Sequence, residues 1–535
     1  MSKVQKKIIE SSTFGVLNVY VSFLLGILGT FIIARIISPE EWGFLLLSLS
    51  FIGVAAFFSS IFPPGAEGSI AYYIPHLKSE IGNKNLEIRK FIFHIYKTRL
   101  LSCCIVYIIF LIVITFFLQS DLLLFQITLI LSPKIFILII QNLNISIFIA
   151  FQKFKLVFLG SILNIITATL GYLVIILMQF TQPLLIITFI NLLSSIIPVV
   201  VSIFFLIPLI PSKIENDPIT RTSYNKNFYK LHKTYGIYLF ITGIFNQIKN
   251  LTVNLLFLNF GAVNYITYFS ICDKGVSQTL NFSGSNRSTY TSIFTEINYQ
   301  KNPEEFKKSF FQLFKYVSLV VCLIAAFFFF FMETYITIVY SETYLIILVG
   351  VQLFLFATFS RLINRNLLLI VYSTNHNKIS SIFGLIQMVF GISYTLIGLL
   401  FFDFLTLVVF YLISTYLLSI ILISLINKII DFKLKIKRLF YPFLLFTICI
   451  TIAFLASFLI NFQFFNNSFL DTIFNSAVYY VIFIISFYVL VYLTKFITRE
   501  ELNHLLNIVP ILKSKRKFIQ RINNVIIRLF PSRAV

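Results

Sequence analysis

Fourteen long apolar runs dominate this 535-residue chain and leave it few ways to fold. The hydrocarbon core of a bilayer is about 30 Å thick, a distance that an α-helix covers in about 20 residues. Nothing in that core can satisfy a bare N–H or C=O group, so apolar runs of this length cross it as helices. They fall near 13–34, 42–62, 100–118, 122–151, 156–179, 184–209, 236–260, 262–284, 316–338, 343–372, 379–400, 404–426, 440–460 and 476–494. Only 12% of residues are charged, about half the share usual in soluble domains, and mean hydropathy is +0.93. The expected fold class is an all-α polytopic membrane protein with about 14 transmembrane helices. Met1–Glu10 is basic, but the apolar stretch behind it is too long for a signal-peptide core, so it is expected to be the first span.

The basic residues give an independent test of this division. With the N-terminus inside, 36 of the 42 Lys and Arg fall in the N-terminus, the inner connections and the tail, and only Arg35 lies outside. Outer connections carry Glu40, Glu41, Asp121, Glu342, Asp403 and Asp471 instead. Alternation of this kind is what the positive-inside rule demands, and it puts both termini on the cytoplasmic side of the cytoplasmic (inner) membrane. The net charge of +22 is thus topological, and a nucleic-acid partner is not implied. In the tail, Lys513, Lys515, Arg516, Lys517, Arg521 and Arg528 alternate with Phe518, Ile522, Val525, Ile526 and Leu529, which share one helical face. A basic amphipathic helix of that pattern is suited to lie on anionic membrane lipids.

A polar break divides the spans. Residues 211–235 contain Pro218 and five basic residues, and read as a cytoplasmic linker between a six-helix lobe at 1–210 and a second at 236–426. An extra helix pair follows at 427–494, then the basic tail at 495–535. Phe14-Gly15-Val16 and Tyr235-Gly236-Ile237 open the two lobes with a faint internal echo, and transporters built on such repeats hold substrate at the repeat interface.

Ionisable groups inside a membrane are costly and face a bundle interior or a wet cavity. Lys134 lies near the middle of the fourth span. Lys249 lies mid-way along the seventh, on a stripe with Thr242, Asn246, Asn250 and Asn254. Asp273 and Lys274 sit mid-way along the eighth, and Arg361 and Arg365 lie one turn apart in the tenth. Asn18, Ser22, Gly26 and Gly29 share a face of the first. These positions, namely Lys249, Lys274, Asn246, Asn250, Asp273, Lys134, Arg361, Arg365 and Asn18, are the candidate substrate-binding residues. A structural ion pair, or snorkelling of the two arginines to the interface, is the competing reading. Five cations against one acid favour an anionic ligand, best a phosphate or pyrophosphate. An exporter of cationic drugs would instead want buried carboxylates.

The five cysteines lie in apolar runs, and the five histidines are scattered, so neither a metal site nor a cofactor is expected. No nucleophile–base constellation or phosphate-cradling glycine loop occurs, which argues against an enzyme.

The stretch Ala34-Arg35-Ile36-Ile37-Ser38-Pro39-Glu40-Glu41-Trp42-Gly43 resembles the A-R-x-L-x-P-x-x-x-G turn of polysaccharide flippases in the multidrug/oligosaccharidyl-lipid/polysaccharide exporter superfamily. Gly261–Ser270 resembles that family's G-x-x-x-x-G-x-Y-S segment, with Tyr265 and Thr267 where small residues are common. Of the A-x-G-K turn after the tenth span, Ser373–Lys378 keeps only the lysine. The span count, two lobes and extra pair match the family over nearly the whole chain. The resemblance implies a central cavity that flips a polyprenyl-pyrophosphate-linked oligosaccharide outward by alternating access, for surface polysaccharide biosynthesis. It implies that lipid-linked substrate, membrane lipids and glycan-assembly enzymes as partners, and a chain working as a monomer. A cation- or proton-coupled drug or metabolite exporter of the same superfamily, and a membrane-embedded polysaccharide polymerase or glycosyltransferase, are the alternatives.

Overall fold

The computed structural model describes residues 3–61, 64, 70, 74, 85–151, 153–178, 180–210, 237–282, 294, 302–374, 376–401, 403–430, 432–459, 468–494 and 496. The expected linker at 211–235 and the expected tail helix at 511–529 lie outside them. The helices are α1 (Lys3–Ile36), α2 (Pro39–Phe58), α3 (Asn85–Phe117), α4 (Leu122–Leu131), α5 (Lys134–Ala150), α6 (Phe154–Met178), α7 (Pro183–Leu206), α8 (Ile237–Asn259), α9 (Val263–Phe282), α10 (Pro303–Val339), α11 (Leu348–Ser373), α12 (Asn377–Leu400), α13 (Phe404–Ile430), α14 (Ile436–Leu459) and α15 (Ser468–Leu493). No strand occurs among the described residues. The protein is an all-α polytopic membrane protein, and each of the expected spans falls on a helix.

Eleven helical stretches are long and apolar enough to cross a membrane by length and composition. Helices α8 and α9 are not among them, because Lys249, Asp273, Lys274 and their polar neighbours dilute the apolar surface. Helices α3 and α10 begin well before their apolar runs, at Asn85 and Pro303. Hydropathy registers only the lipid-sized portion of a helix, and neither 85–99 nor 304–315 holds a proline or glycine to stop it.

Local chemistry sets the other ends. Ser38 caps α2: its hydroxyl accepts from the Glu41 N–H (3.2 Å) while the Glu41 carboxylate accepts from the Ser38 N–H (2.8 Å), a capping box completed by Pro39 in the first turn. Asp121 caps α4 by accepting from the Leu124 N–H. Asp403 caps α13. Burial raises its carboxyl, but hydrogen bonds from Leu405 and Thr406 outweigh that and hold it below the usual carboxylate range. The expected span at 122–151 is one crossing stretch, Leu122–Ala150, whose helix is interrupted between α4 and α5. Pro133 has no N–H to give and clashes with the turn before it, so the chain breaks at Ser132–Pro133.

Two compact units emerge. The larger comprises Met1–Val321 and Tyr335–Ile436. Within it α1 packs on α6, α6 on α7, α8 on α12, and α11 and α12 on α13. Helix α2 joins the first group to the second by packing on α8 and α9. The approach to α9 is close enough that a methyl group on Gly43 would run into the Val263 carbonyl. Beside it, the Thr267 hydroxyl donates to the Pro39 carbonyl at 2.7 Å. The two stretches that carry the family resemblance therefore pack against each other. Arg35 donates to the Ile338 carbonyl at 2.8 Å, and Trp42 stacks on Tyr340 at 6.0 Å. Toward the other end of α2, Phe57 stacks on Phe240 at 5.2 Å and covers Gly243.

The smaller unit comprises Cys322–Thr334 of α10 and Lys437–Val535. Its core is aromatic: Phe483 meets Phe446 and Phe330, and Phe327 stacks on Phe331 and meets Tyr480 edge-on. Pro442 lies inside α14, and the Cys322 thiol donates to the Pro442 carbonyl at 3.7 Å.

Candidate functional site

Lys249 lies 12 residues into α8 and Asp273 10 residues into α9, about 18 Å and 15 Å along their axes at 1.5 Å per residue. Both are mid-span. The structure brings Arg361 of α11 to the same depth. Its Nη2 lies 2.5 Å from Asp273 Oδ1. Its Nε donates to the Tyr411 hydroxyl at 2.7 Å, and Nη2 bonds the same oxygen. The two side chains remain 26% and 44% accessible, so the pair faces open space and is not sealed in the core.

The guanidinium is fixed from behind by aromatic packing. Tyr411 stacks face to face on Phe354 with centroids 4.3 Å apart. Phe269 meets both rings edge-on at 5.3 Å and 5.0 Å, and Tyr394 meets Tyr411 edge-on at 5.3 Å. Phe354 is fully buried, and Tyr394 and Tyr411 nearly so. Interlocking rings with so few rotatable bonds hold the Tyr411 hydroxyl, and through it Arg361, in one place.

Lys249 is half-buried, and its aliphatic stem runs across Gly391 of α12. A Cβ at 391 would sit 2.7 Å from both Cγ and Cδ of the lysine, so only glycine leaves this path open. Its ammonium is within electrostatic reach of Arg361 and Asp273. The stripe around Lys249 divides. Thr242 turns to Ser380 and Ser381 of α12, and Asn254 donates to Ser50 of α2 at 2.7 Å. Asn246 (half-buried) and Asn250 (exposed) lie one turn apart beside Lys249.

Lys274 does not join Lys249. Its side chain is exposed, and its ammonium stands 5.2 Å from the Trp42 ring of α2, a cation–π contact between the two groups of helices. Arg365 is half-buried one turn beyond Arg361. Lys134 belongs to another place, at the start of α5, where it donates to the Asn191 side chain. Asn18 lies on α1, and its side chain is outside the described residues. Among the described residues no group of three or more His, Cys, Asp or Glu could hold a metal ion.

The cluster thus holds Lys249 and Arg361 against the carboxylate of Asp273, which Arg361 already pairs, while Lys274 stands apart over Trp42. Such a site attracts anions and offers no spare carboxylate to a cationic ligand.

Solved structures place this architecture. It superposes on one titled "Lipid II flippase MurJ, inward closed conformation" with a TM-score of 0.60 and 16% identity, covering 89% of this chain and 98% of that one. The chain has the fold of the MOP-superfamily transporters. A MOP-superfamily transporter from Pyrococcus furiosus gives 0.55 at 14% identity over 80% of this chain and 97% of that one, under a title stating that the reverse polarity of its binding pocket suggests a different function. An outward-facing multidrug resistance MATE-family transporter of the same superfamily gives the same figures. No family model matches the sequence. No curated protein matches it either.

Within this MOP-type fold, sequence reading passed over Tyr411 and Trp42 as site residues. Tyr411 sits in an apolar run, and Ser414 and Thr415 one turn on are the polar neighbours on its face that could have flagged it. Asn191 was also passed over, although Ser194 and Ser195 one turn on form a short polar stripe that could have flagged it.

Proposed function

We propose that this chain flips a polyprenyl-pyrophosphate-linked oligosaccharide across the cytoplasmic membrane, and that it is a transporter without enzymatic activity. The observation that carries the reading is the mid-span cluster in which cations outnumber carboxylates and the one carboxylate is already paired. A pyrophosphate offers several acceptor oxygens to Lys249 and to the guanidinium of Arg361, which has five N–H donors and engages Asp273 and Tyr411 through Nε and Nη2, with Lys274 on the same helix as Asp273. Asn246 and Asn250 supply neutral hydrogen bonds for a sugar. The likeness of fold to a lipid II flippase over most of both chains is consistent with a lipid-linked cargo. A drug exporter of the same fold finds less support here, since Asp273 is engaged by Arg361 and is not free to exchange a proton against a cation.

Transport proceeds by alternating access, the α1–α7 and α8–α13 groups rocking about α2, α8 and α9. The asymmetry of basic residues sets the orientation, with both termini cytoplasmic. The contacts of Arg35, Trp42 and Gly43 with α9, α10 and the Tyr340–Tyr344 turn then close the outer end. Single cysteines replacing Asp121 or Asp403 are expected to react with a membrane-impermeant thiol reagent from outside, and one replacing Lys433 only after permeabilisation. The reverse pattern would overturn the orientation.

The direct test uses proteoliposomes holding the full-length protein and a fluorescent undecaprenyl-pyrophosphate-linked oligosaccharide. Export of cargo to the leaflet reached by an external quencher, with no release of free sugar or pyrophosphate, is the expected result. No movement above protein-free vesicles, or movement of a cationic dye in place of the lipid, would overturn the reading.

A further inference from the structure

A second charged site lies inside the first group of helices. Between α1, α5, α6 and α7 is a cavity of about 190 Å³, whose wall is formed by Gly26, Gly29, Thr30, Lys134, Asn164, Tyr172, Asn191 and their neighbours. It shares no lining residue with the cluster around Arg361. Lys134 is the first residue of α5, about 18 Å along the membrane-crossing stretch that starts at Leu122. The turn there is hydrogen-bonded, the Ile135 N–H donating to the Ser132 carbonyl and the Phe136 N–H to the Pro133 carbonyl, both at 3.1 Å, so the charge presented to the cavity is that of the lysine ammonium.

The wall carries this one formal charge and no carboxylate. Lys134 spends one of its three protons on the Asn191 side-chain oxygen, a neutral partner that does not balance the charge. Tyr172 lines the cavity beside the same Asn191. The Ser194 and Ser195 hydroxyls donate back to the Asn191 carbonyl at 3.1 Å and 2.9 Å, so they stiffen this turn of α7 and leave Asn164, Thr30 and Thr169 as further donors to the space. An ammonium held mid-membrane against neutral groups is stabilised by an anion beside it. At about 30 Å³ per water, the volume takes a small ion with several waters and nothing as large as a pyrophosphate with its lipid.

We infer that this cavity is a binding site for a small monovalent inorganic anion of the chloride class, held against Lys134 within the first group of helices and separate from the cargo site. Two glycines on one face of α1 keep the space open. A methyl group on Gly29 would meet the Thr169 hydroxyl at 3.4 Å, whereas one on Gly26 would meet nothing within 4 Å. A larger side chain at Gly26 therefore fills the cavity without displacing backbone.

The test measures radiolabelled chloride binding to the full-length protein in nanodiscs, in a gluconate buffer. Saturable binding is expected in the wild type, weakened at least tenfold by Lys134→Met and equally by Gly26→Leu, which leaves the lysine in place and covers the case in which the charge change impairs folding. The Lys249→Ala, Lys274→Ala protein should bind chloride as the wild type does, because its changes lie on other helices. Absence of saturable binding, which is the result if Lys134 is a neutral amine, would overturn the inference. So would binding unchanged in both Lys134→Met and Gly26→Leu, or binding lost in the Lys249→Ala, Lys274→Ala protein.

Discussion

Replacing Lys249 and Lys274 together by alanine is expected to abolish lipid-linked oligosaccharide flipping while the protein accumulates in the membrane at close to its normal level. The two lysines act from different positions. Lys249 adds its charge beside the Arg361–Asp273 pair, and Lys274 leans from α9 over Trp42 of α2. Removing a hydrogen bond to a charged group costs about 1.5–3 kcal/mol, so each single change should slow flipping by roughly 10- to 100-fold. Loss of either lysine strands no partner: Asp273 keeps Arg361, and the Trp42 ring keeps Tyr340 and Tyr344. Abundance should therefore hold. Arginine in place of either lysine retains charge and should recover part of the rate, less at position 249, where the stem must follow the narrow path over Gly391. Initial rates in proteoliposomes, normalised to protein inserted, decide the matter, and a wild-type rate in the double variant would refute the cation-site mechanism.

The spans were legible because bilayer thickness imposes a length on apolar runs, and every one of them found its helix. Helix ends beyond the bilayer were not, since 85–99 and 303–315 continue α-helical with no change in backbone chemistry to mark the interface. The break at Pro133 was written in the sequence, as a proline in the interior of an apolar run, and reading the run by hydropathy alone hid it. The polar stripe on α8 was visible by helical spacing, but which neighbour each member meets was not. Asn254 and Thr242 turn to α2 and α12, contacts that only the packing of distant helices decides. The same limit applies to Arg361 and Asp273, 88 positions apart in the chain: a spacing rule places each on a face of its own helix and says nothing about the other. Trp42 sat inside a recognisable turn motif, and its part as a platform for Lys274 required α2 and α9 to be placed side by side.

The Arg361–Asp273 pair is expected to set how tightly cargo is held, and its two halves should fail in opposite ways. Asp273→Asn removes the competing carboxylate and leaves Arg361 fastened to Tyr411, so the cluster becomes more positive. Cargo then binds more tightly, but tighter holding of the bound state raises the barrier to release. Both the apparent KM and the maximal flipping rate should fall. Arg361→Leu does the reverse. It frees Asp273 mid-membrane beside Lys249, whose ammonium is the nearest relief for that charge. The lysine is thereby withdrawn from the cargo, so KM should rise as the rate falls, and the loss should exceed that of Asp273→Asn. Combining the two changes removes the stranded carboxylate and returns Lys249 to the site, so the double variant should flip faster than Arg361→Leu alone. Groups in direct contact couple by about 0.5–3 kcal/mol in such cycles, which corresponds to a rescue of roughly 2- to 150-fold. Flipping rates measured against cargo concentration for the four proteins test this. Strict additivity, or KM moving in the same direction in both single variants, would show that the pair only braces α9 against α11.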